Sequence, residues 1–344
     1  VFLTLPVPVS RPVRVGVVGQ GYWGRKLAAR YHMLDDALLI GVCDHDSRAL
    51  ARAAAELSGV PVYGALAELL HQKPDLVAVA TEPRAHMEVA QAALLAGCAV
   101  FVEKPLATAV ADADALVALG VKVGRPVLGS ALWSWDPVVG ALARVVAEGS
   151  LGRLLRIEGA RQNLGCLKPG HDVLDDLLPH DLQILRRLVP GPPATVQTWG
   201  SRLAATSALD AATVRLAWAD GTEAELRLSW VSPEKVRRMV VIGDSGMAVF
   251  DPLDVAAPLR VHHSRPSDAA RSEPGVLANV WAPALPRDGV EPLVAQCSET
   301  LRCVRGALPT VPLALHREVT AVVEAARQSA ERGGSPVGVP QTSA

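Results

Sequence analysis

The segment Val13-Arg14-Val15-Gly16-Val17-Val18-Gly19-Gln20-Gly21-Tyr22-Trp23-Gly24 constrains the fold of this chain more than any other. An apolar run that reads as a buried β-strand enters a G-x-G-x-x-G turn, and a helix-forming segment follows. Such a turn aims backbone N–H groups and a helix N-terminus at a negatively charged pyrophosphate. Gly19 makes the tight turn, Gly21 lets phosphates approach the backbone, and Gly24 lets helix and strand pack closely. Gly19, Gln20, Gly21, Tyr22, Trp23 and Gly24 are therefore the expected dinucleotide-binding residues.

A second strand points the same way. The run 38–43 is apolar and ends at Asp44. A carboxylate there accepts hydrogen bonds from the adenosine ribose hydroxyls and repels a 2′-phosphate, so the expected cofactor is NAD rather than NADP. The competing role for Asp44 is to cap the helix expected at 47–57, but Asp46 or Ser47 is better placed for that. Arg48 softens the discrimination against a 2′-phosphate. Further strand-like runs at 76–80, 99–102 and 126–129 alternate with helical patterns at 22–33, 47–57, 65–71, 84–96 and 108–120. This alternation predicts an α/β fold, with a doubly wound parallel sheet of the Rossmann type over 13–131. An N-terminal extension, 1–12, precedes it.

The pattern changes after Trp135. Helices are expected at 137–148, up to Leu188, at 291–306 and at 314–331. Between them lie strand-like runs at 153–162, 195–203, 211–218, 223–230, 236–242 and 247–250. Asp220-Gly221 and Asp244-Ser245-Gly246 read as hairpin turns. A second, α+β domain over 132–332 follows, with a large, mostly antiparallel sheet covered by helices on one face. Its other face is expected to meet a partner subunit in a homodimer or homotetramer. Residues 263–288 read as an irregular loop and 333–344 as a disordered tail.

Composition narrows the partners. The 344 residues carry 34 basic and 35 acidic side chains, a net charge of −1, and the arginines are dispersed. That speaks against nucleic acid or an anionic membrane as the main partner. The longest apolar run, 92–102, is too short to span a bilayer, and Pro6 and Pro8 interrupt an N-terminus without a basic leader. Cys43, Cys98, Cys166, Cys297 and Cys303 form no C-x-x-C pair, which suits free thiols in a reducing cytoplasm.

Two places carry reactive side chains. Lys104 follows the strand 99–102, and ligands in open α/β sheets bind beyond the carboxyl ends of strands. Pro105 holds Lys104 in an extended conformation or a cis peptide bond. Beside a cationic nicotinamide such a lysine polarises or deprotonates a substrate hydroxyl; the competing role is a solvated lysine at a turn. The second place is His171-Asp172-Val173-Leu174-Asp175-Asp176-Leu177-Leu178-Pro179-His180-Asp181. On a helix, Asp176 and His180 share a face, where a carboxylate orients an imidazole for proton transfer. Pro179 argues for a helix that starts late or bends. His171, Asp172, Asp176 and His180 are also possible metal ligands, but no firm ligand pattern precedes them and no metal is expected. The remaining alternative is a helix N-terminus lined with acids that suit its dipole. His262, His263, His32, His45, His71 and His316 are read as structural or surface residues.

Taken together, these residues resemble the glucose–fructose oxidoreductase / inositol dehydrogenase / rhizopine-catabolism (Gfo/Idh/MocA) family of NAD(P)-dependent oxidoreductases. The opening strand and turn match, as do Thr81-Glu82-Pro83 with His86, the run Ala96–Ala107 containing Glu103-Lys104-Pro105, and Asp176-x-x-x-His180. The resemblance implies hydride transfer between nicotinamide and a carbinol carbon of a sugar or cyclitol. It implies that Thr81, Glu82, Pro83, His86 and Glu103 line the cofactor site. Lys104 then polarises the reacting oxygen, His180 is the general acid/base, and Asp176 contacts a neighbouring hydroxyl. A narrower similarity points to the branch acting on C3 of nucleotide-linked sugars, through Arg161-x-Asn163-x-Gly165, the stretch Asp172–Asp181, and Ser229-Trp230-x-x-Pro233-x-Lys235-x-Arg237. Arg161, Asn163, Asp176 and Lys235 are the substrate residues implied. Asp175 departs from that branch, which often has an aromatic residue there. Alternatives are a dehydrogenase of a free polyol such as an inositol or aminocyclitol, a glycosidase using NAD transiently, and a non-catalytic NAD-binding regulator.

Overall fold

A computed structural model describes residues 11–165, 171–204, 208–263, 280–281 and 290–340. The chain divides into two compact units: residues up to Leu106 with Asp114–Ser130 and Leu293–Thr310, and Ala107–Ala113 with Ala131–Pro292 and residues from Val311 onward.

In the first unit, strands and helices alternate: β1 (Val13–Val18), α1 (Tyr22–Met33), β2 (Ala37–Cys43), α2 (Ser47–Glu56), β3 (Val62–Tyr63), α3 (Leu66–His71), β4 (Leu76–Val79), α4 (His86–Leu95), β5 (Ala99–Val102), α5 (Val110–Val123) and β6 (Val127–Gly129). The strands form one parallel sheet in the order β3-β2-β1-β4-β5-β6. Every residue of β4 and β5 is buried, as expected of strands covered on both faces. Strand order reverses between β1 and β4, the switch point at which doubly wound sheets bind ligands. β3 escapes sequence reading because it is two residues long and follows Pro61.

The second unit contains α6 (Pro137–Ala147), β7 (Leu154–Leu164), α7 (Val173–Leu188), β8 (Thr195–Ser201), β9 (Ala211–Ala217), β10 (Glu223–Ser229), β11 (Val231–Gly243), β12 (Met247–Phe250), β13 (Leu259–His262), β14 (Val280–Trp281), α9 (Leu313–Glu331) and β15 (Val337–Gly338). Its described strands form a sheet in the order β14-β13-β12-β11-β7-β10-β9-β8-β15, in which the β7–β10 pair is parallel and the other pairs antiparallel. One face buries Ile157, Val214, Leu216, Leu226 and Val241 in a core shared with α6, α7 and α9. The other face is polar, with Arg156 paired to Glu158 and Glu225, and Arg215 to Glu223. This is the alternation that a half-buried sheet requires.

Three expectations change. The tail is ordered over 333–340, since Val337 and Gly338 pair with β8 while Val337 and Val339 are buried; residues 341–344 lie outside the described residues. Helix α8 (Pro292–Val304) packs in the first unit rather than the second, burying Leu293, Cys297 and Leu301. The Thr300 hydroxyl hydrogen-bonds the Tyr31 hydroxyl at 2.7 Å, and Arg305 pairs with Asp36 at 2.9 Å. Of the loop expected at 263–288, Val280–Trp281 is a strand, and 264–279 and 282–288 lie outside the described residues. Cys43, Cys98, Cys297 and Cys303 are free and buried, and burial pushes the Cys43 and Cys98 thiols up to about 11. Cys166 lies outside the described residues. Among those residues no helix is long and apolar enough to cross a membrane.

Candidate active site

In the first unit the glycine-rich turn joins β1 to α1. Gly19 has a positive φ of 91°, and a Cβ there would lie 2.5 Å from the Ala80 carbonyl oxygen. A Cβ at Gly24 would overlap the Gly19 carbonyl oxygen, so helix and strand touch where the glycine permits it. Beside Gly21 an added Cβ would find open space. The N-terminus of α1 has no side-chain cap and no acidic residue in its first turn. Its leading N–H groups therefore suit an anion. Gln20 is fully buried, and its Oε1 has no hydrogen-bond partner among the described residues. Tyr22 and Trp23 turn their rings to Lys26, whose Nζ sits 4.2 Å and 5.0 Å from the two ring centres.

Asp44 and Asp46 divide two tasks between them. Asp46 is the N-cap of α2, accepting from the Arg48 N–H at 2.8 Å. Asp44, at the end of β2, accepts from the N–H groups of Gln20 and Asp46. Its carboxylate thus lies against the glycine turn. An open helix N-terminus, an uncovered Gly21, an orphaned Gln20 oxygen and an acid at the tip of β2 together fit a dinucleotide.

The loop after β4 and the end of β5 are tied by His86. Its imidazole is buried, with Nδ1 2.8 Å from the Pro105 carbonyl oxygen and Nε2 3.2 Å from that of Thr81. The ring positions the Thr81-Glu82-Pro83 loop, whose Pro83 opens a short 3-10 turn, and has no surface of its own to offer a ligand. The Lys104–Pro105 peptide is cis. Glu103 is buried just before it, accepting from the Lys104 N–H at 3.2 Å; burial raises its carboxyl above the usual range, against Lys104 and Ser130.

In the second unit, α7 continues through Pro179 without a break or late start. Asp172 caps it, accepting from the Asp175 N–H at 2.9 Å, and Pro179 is itself buried. Asp176 and His180 are one turn apart on this helix. Each accepts from an indole: Trp230 Nε1 donates to Asp176 Oδ2 at 3.1 Å, and Trp133 Nε1 to His180 Nδ1 at 3.2 Å. Asp172 and Asp175 are clamped by Arg327 of α9 at 3.3 Å and 2.6 Å. Burial and the Asp172 charge raise the Asp175 carboxyl, and Arg327 opposes them. No group of three or more metal-ligating side chains occurs among the described residues.

The expected substrate residues separate. Arg161 is 4% exposed, and its Nε and Nη2 donate to Asp181 Oδ1 at 2.9 Å and 2.6 Å. It lies on the core face because it follows Ile157 and Gly159 at period two. Asn163 Oδ1 accepts from Arg237, whose guanidinium is lowered below its ordinary value by burial and by Arg161. Lys235 is exposed on β11. Trp133, Trp230, Asp181 and Arg237 escaped notice as site residues. The signal was there for Asp181, which follows His180 directly. Trp230 and Arg237 entered only within the Ser229–Arg237 similarity, and Trp133 is marked only as a rare aromatic residue in a chain that is 4% aromatic.

Comparison with known proteins identifies the family and the fold. A family model described as "Oxidoreductase family, NAD-binding Rossmann fold" matches residues 13–129, and one described as "GFO/IDH/MocA C-terminal domain" matches 139–249. The UDP-N-acetylglucosamine 3-dehydrogenase of Acidithiobacillus ferrooxidans is 30% identical over 270 residues, covering 77% of this chain and 81% of that protein. Its solved structure superposes with a TM-score of 0.79 at 26% identity, over 94% of this chain and 99% of that one. Inositol 2-dehydrogenase 4 of Saccharopolyspora erythraea is 32% identical over 157 residues, 45% of this chain and 46% of that protein. The chain is an oxidoreductase of the dehydrogenase/reductase kind, and it belongs to the Gfo/Idh/MocA family.

Proposed function

We propose that this protein transfers a hydride between NAD(H) and a secondary alcohol or ketone of a sugar, the reacting carbon being C3 of a nucleotide-linked hexose. The observation that carries the chemistry is the Asp176–His180 pair, one turn apart on α7 and each held by an indole N–H. NAD, when bound, accepts or returns the hydride at its nicotinamide. Gly21, Tyr22, Trp23 and Gly24 offer backbone N–H groups to its pyrophosphate, Gly19 and Gln20 shape the turn with their own N–H groups bound to the Cys43 carbonyl and to Asp44, and Asp44 takes the adenosine ribose and disfavours NADP. Thr81, Glu82 and Pro83 line the nicotinamide ribose, with His86 and Glu103 holding the loops in place. Lys104 acts on the reacting oxygen, and His180 hydrogen-bonds it. Asp176 takes a neighbouring hydroxyl. Lys235 is the exposed cation offered to a diphosphate. The similarity to a UDP-sugar 3-dehydrogenase over most of its length supports the choice of substrate. The protein works in the cytoplasm, as four buried free thiols suggest, and as a homodimer or homotetramer through its polar sheet face.

A second reading is a free polyol as substrate. It is favoured by Arg161, whose guanidinium is buried against Asp181 and so is not offered to a diphosphate. Following NADH absorbance against UDP-sugars, dTDP-sugars, inositols and free hexoses separates the two. Turnover of a nucleotide-sugar is the expected result. Turnover of free polyols alone would replace the substrate while keeping the chemistry. NADH binding without turnover of any sugar would sink both.

A further inference from the structure

The bond between Trp133 and His180 determines which nitrogen of the imidazole carries the proton. An indole nitrogen only donates, so the atom 3.2 Å from it, Nδ1 of His180, presents a lone pair and no hydrogen. The proton of the neutral ring is then on Nε2. We infer that Trp133 is a positioning residue that locks His180 as an Nε2–H donor, so that His180 hydrogen-bonds the reacting oxygen and is not the group that accepts its proton. The role at that oxygen rests on the proposed function; the tautomer does not.

Trp133 is well fixed for this task. The Arg161 guanidinium carbon lies 5.0 Å from its ring centre, and the Phe250 ring meets it edge to face at 6.1 Å and 87°. Asp181 in turn holds Arg161, with both side chains close to fully buried. An indole gripped in this way keeps its N–H aimed at one place. A proton arriving on Nδ1 would set one N–H against another and break the Trp133 bond.

The proton balance of the reaction changes as a result. In the oxidative direction the carbinol C–H bond breaks, and its hydrogen leaves with the electron pair to NAD. The carbinol O–H proton passes to Lys104 Nζ, the base of the proposed function, and a carbonyl remains. The Nε2–H proton stays on His180 throughout, shared with the oxygen on which negative charge develops. Reduction reverses each transfer.

Two measurements test this on the full chain. In the first, long-range 1H–15N correlation of protein labelled at histidine nitrogen, with His180 assigned by its loss in His180→Gln, reads the tautomer directly. At neutral pH the expected pattern is a pyridine-type Nδ1 and a pyrrole-type Nε2. In a folded Trp133→Phe protein the two signals should move toward each other as both tautomers become populated. A protonated Nδ1 in the unaltered protein overturns the inference, and so do signals unmoved in folded Trp133→Phe. Should that variant fail to fold, the unaltered protein's spectrum decides alone. The second measurement compares His180→Gln with His180→Ala on whichever substrate the panel identifies. A glutamine amide accepts at its oxygen and donates at its nitrogen, copying the proposed tautomer, yet it is no base. His180→Gln should exceed His180→Ala by about tenfold or more in kcat, a modest share of the usual acid–base contribution. Equal loss in both would overturn the donor role.

Discussion

Replacing Asp181 with leucine should show how much the second unit depends on one buried ion pair. Two guanidinium nitrogens of Arg161 donate to a single oxygen, Asp181 Oδ1, at 2.9 Å and 2.6 Å. The side chains are only 5% and 6% exposed, so water cannot screen a charge left behind. Removing one partner of such a pair costs about 3–5 kcal/mol, because the other charge stays buried without compensation. At about 2–4 °C per kcal/mol for a domain of this size class, the melting temperature should fall by about 6–20 °C. The double variant Arg161→Met with Asp181→Leu should regain most of that loss. The pair must first offset the dehydration of both ions, and Asp181 Oδ2 has no partner among the described residues to help it do so. Urea unfolding of the four proteins gives a double-mutant cycle, with an expected coupling of about 2 kcal/mol or more. If Asp181→Leu lies within about 1 kcal/mol of the unaltered protein, or if the two changes simply add, the pair is not acting as a buried charge pair and the reasoning fails.

Other consequences are as direct. Gly24→Ala should damage both stability and NADH binding, since its Cβ would overlap the Gly19 carbonyl, whereas Gly21→Ala, with open space around it, should keep the melting temperature and weaken NADH binding. Fluorescence titration beside thermal melts checks this, and NADH affinity untouched in Gly21→Ala would remove the pyrophosphate from that turn. Asp44→Ser should narrow the preference for NAD over NADP in a binding competition, and an unchanged ratio would leave Asp44 as a brace for the Gln20 and Asp46 N–H groups only. Lys104→Ala should lower turnover by at least ~10²-fold with NADH binding retained; near-normal turnover would take the lysine out of the mechanism. Burial pushes His316 in α9 down from 6.5 to about 4, so the folded state stays neutral where the unfolded chain already binds a proton. Stability is therefore intact above pH 6.5 and falls between there and pH 4, by about 3 kcal/mol in all. His316→Gln should flatten that acid limb in urea titrations, and an identical limb would refute it.

Legibility in the sequence follows the length and period of the elements. The parallel sheet was readable because β2, β4 and β5 are unbroken apolar runs, and β1 is one but for Arg14, all set between helical patterns. The same holds for the Gly19–Gly24 turn and for Asp46 rather than Asp44 as the cap of α2. β15 was not readable, because two residues after a pair of glycines carry no periodic signal; their register comes from β8, far away in sequence. Helix α8 was recognised as a helix but given to the wrong unit. Its amphipathic pattern says that one side is buried and cannot say against what. At the candidate site, the Asp176 and His180 spacing was plain on a helix, and Pro179 proved compatible with it. Arg161 entered as a substrate residue through the similarity to the nucleotide-sugar branch, although its register from Ile157 already placed it on the core face. The indoles that contact Asp176 and His180 come from a 3-10 turn at Leu132–Trp135 and from Trp230 between β10 and β11. Only the folding of the second unit brings them to α7.

The late position of α8 bears on how the chain acquires its cofactor-binding unit during synthesis. Domains ordinarily fold as they emerge, the N-terminal one first. Here the parallel sheet is complete by Gly129, yet the helix that buries Tyr31 against Thr300, and Ser130 against Gln296, is not made until residue 304. A ribosome must add strands β7 to β14 of the second sheet before the first unit can close. Until then the surface around Tyr31 and Ser130 waits uncovered, so a nascent or truncated chain ending before α8 would expose apolar surface and invite aggregation or chaperone capture.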